Sequence, residues 1–293
     1  MMRILCLGEC MVEMAPTGDN RFTLGFAGDT FNTAWALRKT CPESWQIGYA
    51  TALGDDPMSG DMLRFMLDAG ICTRDIQILP GETCGLYLIR LTGGERSFSY
   101  WRGQSAARKM VDNAGWLPQV LSGAQAVFLS GISLAILSQD RRDALVTALE
   151  AYEGLLVFDP NYRAGLWPSA ALARDWLLRV AARADILLPS LEDCVLLLGP
   201  VTAEDAGQTL RAAGAREVIV TDGPGPVTLC TEDGQSVIAF QQGAAPVDTT
   251  GAGDAFNAGY LSARLNGQTP QQAVAEGQRL SQLAIATRGA LLP

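Results

Sequence analysis

Short apolar runs alternate with longer amphipathic stretches along most of the 293-residue chain. Arg3 to Leu7 closes on Gly8, and the runs Gln46 to Thr51, Ala126 to Ser130, Leu155 to Asp159, Ile186 to Pro189 and Glu217 to Thr221 each end in small or polar residues. Unbroken apolar runs of this length read as strands buried on both faces, as in a parallel sheet. Between them, helical spacing predicts helices over Thr30 to Leu37, Ser59 to Ala69, Arg141 to Leu149, Ala171 to Ala182, Ala203 to Ala213, Gly253 to Leu265 and Pro270 to Leu283, several with capping residues at their starts. The alternation predicts an α/β fold with a central, mostly parallel sheet, crossover helices, and functional loops at the carboxyl ends of the strands.

Two segments break the rhythm. Met11 to Phe26 and Cys84 to Arg102 alternate apolar with polar residues and carry turn signals at Pro16-Thr17-Gly18-Asp19 and Thr92-Gly93-Gly94. That is the pattern of hairpins with one wet face. They predict a small second sheet, projecting from the larger unit as a lid over a site. With no repeat, low-complexity tract or flexible linker, residues 1–293 read as one domain, with the lid inserted as roughly 11–26 and 84–102.

Composition narrows the chemistry. Hydrophobic residues make up 48% and charged residues 18%, enough apolar material for a substantial core. A net charge of -9 offers no general basic field, which argues against nucleic acid as a partner. Histidine is absent, removing Ser-His-Asp and Cys-His catalysis and every histidine-containing zinc site. Lys39 and Lys109 are the only lysines and neither lies in an apolar strand, which disfavours Schiff-base chemistry. The seven cysteines form no C-x-x-C pair and read as reduced thiols. No run approaches the roughly 18 apolar residues of a membrane span, and the N-terminus has no cleavage-site pattern. A cytoplasmic protein that acts on small molecules is the expectation, with no membrane partner.

The strongest chemical signal is Asp248-Thr249-Thr250-Gly251-Ala252-Gly253-Asp254-Ala255-Phe256, which runs directly into an apolar helical pattern. Glycines let the backbone turn with N–H groups outward, and the helix start adds partial positive charge, so an anion belongs there. Asp254, in the first turn, is placed to accept a proton from a hydroxyl that attacks phosphorus. The chain has no G-x-x-x-x-G-K-[ST] P-loop, and Gly251-Ala252-Gly253 lacks the third glycine of a dinucleotide fingerprint.

This nine-residue string resembles the C-terminal signature of the PfkB, or ribokinase-like, family of carbohydrate kinases. Other segments agree in order. Ala27-Gly28-Asp29-Thr30-Phe31-Asn32-Thr33-Ala34 is similar to the family's N-terminal Gly-Gly-x-x-x-Asn signature, with Ala27 for the first glycine. Ser190-Leu191-Glu192-Asp193 resembles the family's Asn-x-x-Glu motif, with Ser190 for Asn and Asp193 for Glu. Thr221-Asp222-Gly223-Pro224-Gly225-Pro226 resembles its nucleotide-side Thr-x-Gly-x-x-Gly turn, with Pro226 where the last glycine is expected. The resemblance implies a three-layer sandwich with a small β-sheet lid, ATP and Mg2+ as cofactors, and a homodimer or higher homo-oligomer through the lid. It implies Asp254 as base, the backbone of Gly251, Ala252 and Gly253 as anion hole, and Gly28, Asp29 and Asn32 toward a sugar. Ser190, Thr221, Gly223, Gly225, Gly251 and Gly253 fall on the nucleotide side, with Asp193 toward Mg2+ through water.

The substrate class turns on arginines. Tyr100 and Arg102 lie two apart on one face of a lid strand, Tyr87 lies in the alternating run Cys84 to Arg90 of the same lid segment, and Arg163 follows the core strand ending Phe158-Asp159-Pro160-Asn161. Two arginines converging on one cleft suit a carboxylate through bidentate, charge-assisted hydrogen bonds, which points to a sugar acid. Tyr100, Arg102, Asp159, Asn161 and Arg163, with Tyr87 as a second lid tyrosine, resemble the branch of the family that phosphorylates 2-keto-3-deoxygluconate at its 6-hydroxyl to give 2-keto-3-deoxy-6-phosphogluconate. The galacto epimer of that acid, fructose or ribose remain open as acceptors, as does a non-catalytic sugar- or nucleotide-binding regulator.

Overall fold

Strand β1 (Arg3–Leu7) is buried along its whole length, and its side chains divide between two cores: Leu5 and Leu7 join one, Ile4 and Cys6 the other. That period of two makes it the middle layer of a sandwich with helices on both faces. The computed structural model describes residues 2–293 except 19, 20, 93, 94, 241, 242 and 244. In chain order the strands that follow are β2 (Met11–Gly18), β3 (Arg21–Ala27), β4 (Gln46–Gly54), β5 (Cys72–Leu79), β6 (Gly85–Thr92), β7 (Glu95–Trp101), β8 (Ala126–Ser130), β9 (Leu155–Asp159), β10 (Ile186–Leu187), β11 (Glu217–Val220), β12 (Val227–Thr231) and β13 (Gly234–Ile238).

Nine of these form one sheet in the order β13-β12-β11-β10-β9-β8-β1-β4-β5, parallel except at the β11-β12 and β12-β13 pairs. The helices are α1 (Asp29–Thr40), α2 (Pro57–Asp68), α3 (Trp116–Ser122), α4 (Gly131–Ala135), α5 (Gln139–Glu150), α6 (Ala170–Arg183), α7 (Leu191–Leu198), α8 (Ala203–Ala212), α9 (Ala252–Leu265) and α10 (Pro270–Ile285). Buried residues of α1, α2, α9 and α10 join the core that takes Ile4 and Cys6, and those of α3 to α8 join the core of Leu5 and Leu7. The remaining strands form the lid sheet, β3-β2-β6-β7, in which β2 and β6 run parallel and the outer pairs antiparallel. Of the two expected lid turns, Asp19, Gly93 and Gly94 lie outside the described residues.

Three strands escaped the sequence pattern. In β5 the apolar signal is interrupted by Arg74 and Asp75, because Asp75 turns inward to pair with the buried Arg3. The other two, β12 and β13, extend the sheet at an antiparallel edge that the parallel rhythm does not anticipate. The expected strand Ile186 to Pro189 is shorter, since β10 ends at Leu187. Pro189 has no N–H for the ladder, and Ser190 instead caps α7. Among the described residues, no helix is long and apolar enough to cross a membrane.

Candidate functional site

The carboxyl ends of the central strands and the inner face of the lid enclose a cavity of about 640 Å3. Its floor is set by Gly251, which caps α9 with φ at +75°. A Cβ there would stand 2.2 Å from the Ala290 carbonyl oxygen, so the turn requires glycine both for its dihedral and for its space. The loop before it is held by Asp248, whose carboxylate accepts from the Thr250 N–H at 2.8 Å and the Gly289 N–H at 3.0 Å. First-turn N–H groups have no partner within a helix, and here they open on the cleft with the partial positive charge of the helix start. The expected anion hole is therefore only partly free: Ala252 N–H donates to Thr249 O at 3.3 Å, whereas Gly253 is exposed.

Asp254 follows on the same turn. Its Oδ2 accepts from Asn32 Nδ2 at 2.7 Å, and Asn32 Oδ1 in turn accepts from the Gly28 N–H at 3.3 Å. The side chain opens on the cleft yet is ringed by protein on its other sides. That burial, with the nearby Asp29 charge, pushes its pKa up to about 8, against the opposing pull of the Asn32 amide and the Arg163 charge. Gly28 precedes α1, and a Cβ on it would stand 2.2 Å from the Glu9 carbonyl oxygen, which explains a small residue where the backbone lines the cavity.

A second chain of hydrogen bonds lies beside the first. Asp29 Oδ2 accepts from Asn161 Nδ2 at 2.8 Å, the Asn161 N–H donates to Asp159 Oδ1 at 2.9 Å, and Asn257 Nδ2 donates to Asp159 Oδ2 at 2.7 Å. Asn161 holds φ at +33°, an uncommon region for a residue other than glycine and one that asparagine tolerates. Burial raises the Asp159 carboxyl well above the ordinary carboxylate range, and the charges of Asp193, Asp254 and Asp29 add to the rise. Asp193 is buried and hydrogen-bonded on both oxygens: Oδ1 accepts from the Tyr162 N–H at 2.8 Å, and Oδ2 accepts from Ser190 Oγ at 2.8 Å in a capping box.

The lid supplies the opposite wall. Register places Tyr87 opposite Tyr100, with ring centroids 5.9 Å apart, and Phe98 stacks on Tyr100 at 6.2 Å. Tyr87 donates its hydroxyl to Glu13 and is held protonated well above the usual tyrosine range, by burial first and then by that carboxylate. β7 ends at Trp101, so Arg102 stands just beyond the strand, but its guanidinium lies 6.0 Å from the Tyr100 ring and reaches the cleft as expected. It is not a free cation, however, because the buried Glu9 carboxylate pairs with it. Arg163, by contrast, is exposed and has no carboxylate partner among the described residues; it donates to its neighbour Tyr162 O at 3.0 Å.

The cavity thus gathers Gly28, Asp29, Asn32, Tyr87, Tyr100, Arg102, Asn161, Arg163, Ser190, Asp193, Thr221, Gly251, Ala252, Gly253 and Asp254. Gly223 and Gly225 are the exceptions. They lie in the turn after β11, Gly225 folding back so that its N–H donates to Asp222 O at 2.7 Å, and they do not line the cavity. Sequence reasoning missed Glu9, which lines the cleft after the first strand, and Asn257, one helical turn beyond Asp254 on the same face. A carboxylate just past a buried strand's glycine was the available signal for Glu9.

No group of three or more carboxylate or thiol side chains among the described residues forms a cage for a metal. The acidic groups on the cleft, Glu9, Asp29, Asp159, Glu192, Asp193 and Asp254, offer oxygen donors only. That set fits a hard cation that keeps several waters and completes its shell with phosphate oxygens.

Comparison with known proteins agrees with this geometry. A 2-dehydro-3-deoxygluconokinase of Dickeya dadantii is 37% identical over 301 residues, spanning 99% of this chain and 96% of the relative. The crystal structure of a 2-dehydro-3-deoxygluconokinase from Thermotoga maritima superimposes with a TM-score of 0.84 at 20% identity, over 99% of this chain and 96% of that one. A ribokinase-type protein from E. coli, solved in complex with ATP and Mg2+, superimposes with a TM-score of 0.83 at 24% identity, over 99% and 95% of the two chains. The fold is ribokinase-like, and because residues 1–293 match the family described as pfkB family carbohydrate kinase, the chain belongs to that family.

Proposed function

We propose that the protein transfers the γ-phosphoryl group of ATP to the 6-hydroxyl of 2-keto-3-deoxygluconate (2-dehydro-3-deoxygluconate), giving 2-keto-3-deoxy-6-phosphogluconate. The observation that carries the reading is one cavity with a carboxylate at a helix N-terminus on its floor and two arginines and two tyrosines on the lid side and rim. The Dickeya relative's activity supports the same acceptor.

In this reading the acid end of the substrate lies toward Arg163 and Arg102, flanked by Tyr87 and Tyr100. Its hydroxyls meet Asp29, Asn32, Asn161 and the Gly28 backbone. The 6-hydroxyl then points at Asp254, which takes its proton as the oxygen attacks phosphorus. Charge that builds on the transferred group meets the N–H groups at the start of α9, the Gly251 to Gly253 turn. Thr221 and Ser190 face the nucleotide side, with Gly223 and Gly225 in the turn behind Thr221. When bound, Mg2+ offsets phosphate charge, and Asp193, Asp159 and Glu192 would hold it through water.

One observation favours a neutral sugar as the second reading. The Glu9 carboxylate already offsets the Arg102 charge, leaving Arg163 as the cation of the cavity lining without a carboxylate partner among the described residues. ADP release with Mg-ATP against 2-keto-3-deoxygluconate, its galacto epimer, gluconate, fructose and ribose decides between them. Preference for the keto acids supports the first reading, and preference for fructose or ribose replaces it with the second. The same proposal includes a single domain and a homo-oligomer joined through the lid, whose outer face carries the exposed Leu24 and Trp101.

A further inference from the structure

Glu9 has a position that the phosphoryl-transfer chemistry leaves unexplained. It follows the central strand β1, is 2% exposed, and touches three parts of the cleft. Its backbone oxygen packs against Gly28, where a Cβ would approach to 2.2 Å. Its carboxylate lies against the start of β6, where a Cβ on Gly85 would stand 3.0 Å from Oε1. The same carboxylate accepts from both the Arg102 guanidinium and the Ser105 hydroxyl, just beyond β7. Glu9 therefore meets the lid hairpin both where it leaves the main sheet and where it returns.

Arg102 depends on this contact. It is 8% exposed, its Nε has no hydrogen-bond partner, and among the described residues Glu9 is its only anionic partner. A long side chain with so few fixed contacts loses its placement when the acceptor goes. We propose that Glu9 is a positioning residue that fixes Arg102 in the cleft and so sets affinity for the acceptor substrate. The inference rests on Arg102 contacting that substrate, as proposed above.

A double-mutant cycle in steady-state kinetics tests it, read on whichever acceptor the enzyme prefers. Glu9→Ala is expected to raise the acceptor KM roughly tenfold while kcat and the KM for ATP stay within about twofold, and Glu9→Gln, which keeps an acceptor for Arg102, to restore most of the loss. In an Arg102→Ala background, Glu9→Ala should add less than about twofold, since its means of action is gone. That double variant removes both members of a buried pair and so avoids an uncompensated charge if the single variant does not fold. An equal KM rise in both backgrounds, a parallel change in kcat and the ATP KM, or no rescue by glutamine overturns the proposal. If Arg102→Ala itself leaves the acceptor KM unchanged while the cycle's Glu9 arm still moves it, the assignment of Arg102 to the substrate has failed, and the positioning role with it. A preference for a neutral sugar overturns the sugar-acid reading alone, because the cycle is then read on that sugar.

Discussion

The floor of the cleft and its lid wall are built on opposite principles. On the floor, polar groups are fixed by backbone: Asp254 sits in the first turn of α9, Asn161 has a positive φ, and Gly251 admits no side chain. Asp254, Asp159 and Asp29 are each tied to a side-chain amide, the first two by the Asp254–Asn32 and Asp159–Asn257 hydrogen bonds at 2.7 Å. The lid wall relies on side chains: a cluster of Tyr87, Phe98 and Tyr100, with Arg102 held by one carboxylate. A fixed floor is what chemistry needs, because charge must develop against groups that do not reorganise. An adjustable wall suits selection among acceptors, since changes there alter contacts without moving the reacting atoms.

The sharpest way to break this division is on the floor. Asp254→Asn keeps the shape and can still accept the Asn32 hydrogen bond, but cannot take a proton. Base catalysis is worth roughly 10²–10⁴ in rate, so kcat should fall by about that much while both KM values change by only a few fold. Rapid-quench or coupled measurement of turnover checks it, and a KM rise in place of a kcat loss would move Asp254 to the binding side.

At the rim, where Arg163 follows β9 and faces the lid side, the effect should be smaller and of the other kind. Arg163→Ala removes a charge-assisted contact, worth about 1.5–3 kcal/mol, so the acceptor KM should rise about 10- to 100-fold. The KM for ATP should hold, as should kcat. If kcat falls with it, Arg163 serves the phosphoryl group and the division between floor and wall is misplaced.

The two regions were also unequally legible. The floor could be read because turn chemistry is local: Gly251-Ala252-Gly253-Asp254 specifies a positive-φ cap, a helix start and a carboxylate within four neighbouring positions. Alternation in Met11 to Phe26 and Cys84 to Arg102 likewise revealed the lid strands, and the structure adds the register that sets Tyr87 opposite Tyr100. What stayed hidden was long-range. Glu9 and Arg102 are 93 positions apart, and no local pattern shows that the arginine carries a carboxylate with it. That Gly223 and Gly225 stand outside the cavity was hidden for a similar reason, because the Asp222 carbonyl closes the turn on itself. Edge strand β5 was missed because its inward Asp75 makes sense only beside Arg3.

A pH titration sharpens the comparison further, since the floor carries the raised carboxyl. With its pKa near 8 in the free enzyme, Asp254 is protonated over most of the neutral range and cannot act as base in that form. The profile of kcat/KM should therefore rise about tenfold per pH unit toward a shoulder near 8. Stability should move the opposite way. The folded chain holds this proton up to about 8, while the unfolded chain releases it near 3.8, so the contribution is fully present below 3.8 and is lost as pH climbs through 8. Asp254→Asn removes that loss, and also part of the charge that raises Asp159. Melting curves of the two proteins should nearly coincide at pH 4 and separate at pH 9, with the variant more stable. A constant difference across the range would show that Asp254 is not raised.

The outer face of the lid gives the smallest expected effect on catalysis. Cross-strand register puts Trp101, Leu86, Val12 and Phe26 on one face and Tyr87 and Tyr100 on the other. Phe26 is buried against Phe65 of α2, with ring centroids 5.4 Å apart, whereas Trp101 is 61% exposed and Leu24 50%. An indole left in water is a large apolar area, of the kind that marks contact with another molecule. Trp101→Ser should shift the sedimentation coefficient toward a monomer, while the acceptor KM changes by less than about twofold because the substituted side chain faces away from the cleft. A large KM change with unaltered sedimentation would mean that the tryptophan stabilises the lid itself, and the wall would then prove less independent of its outer face than the two-sided register implies.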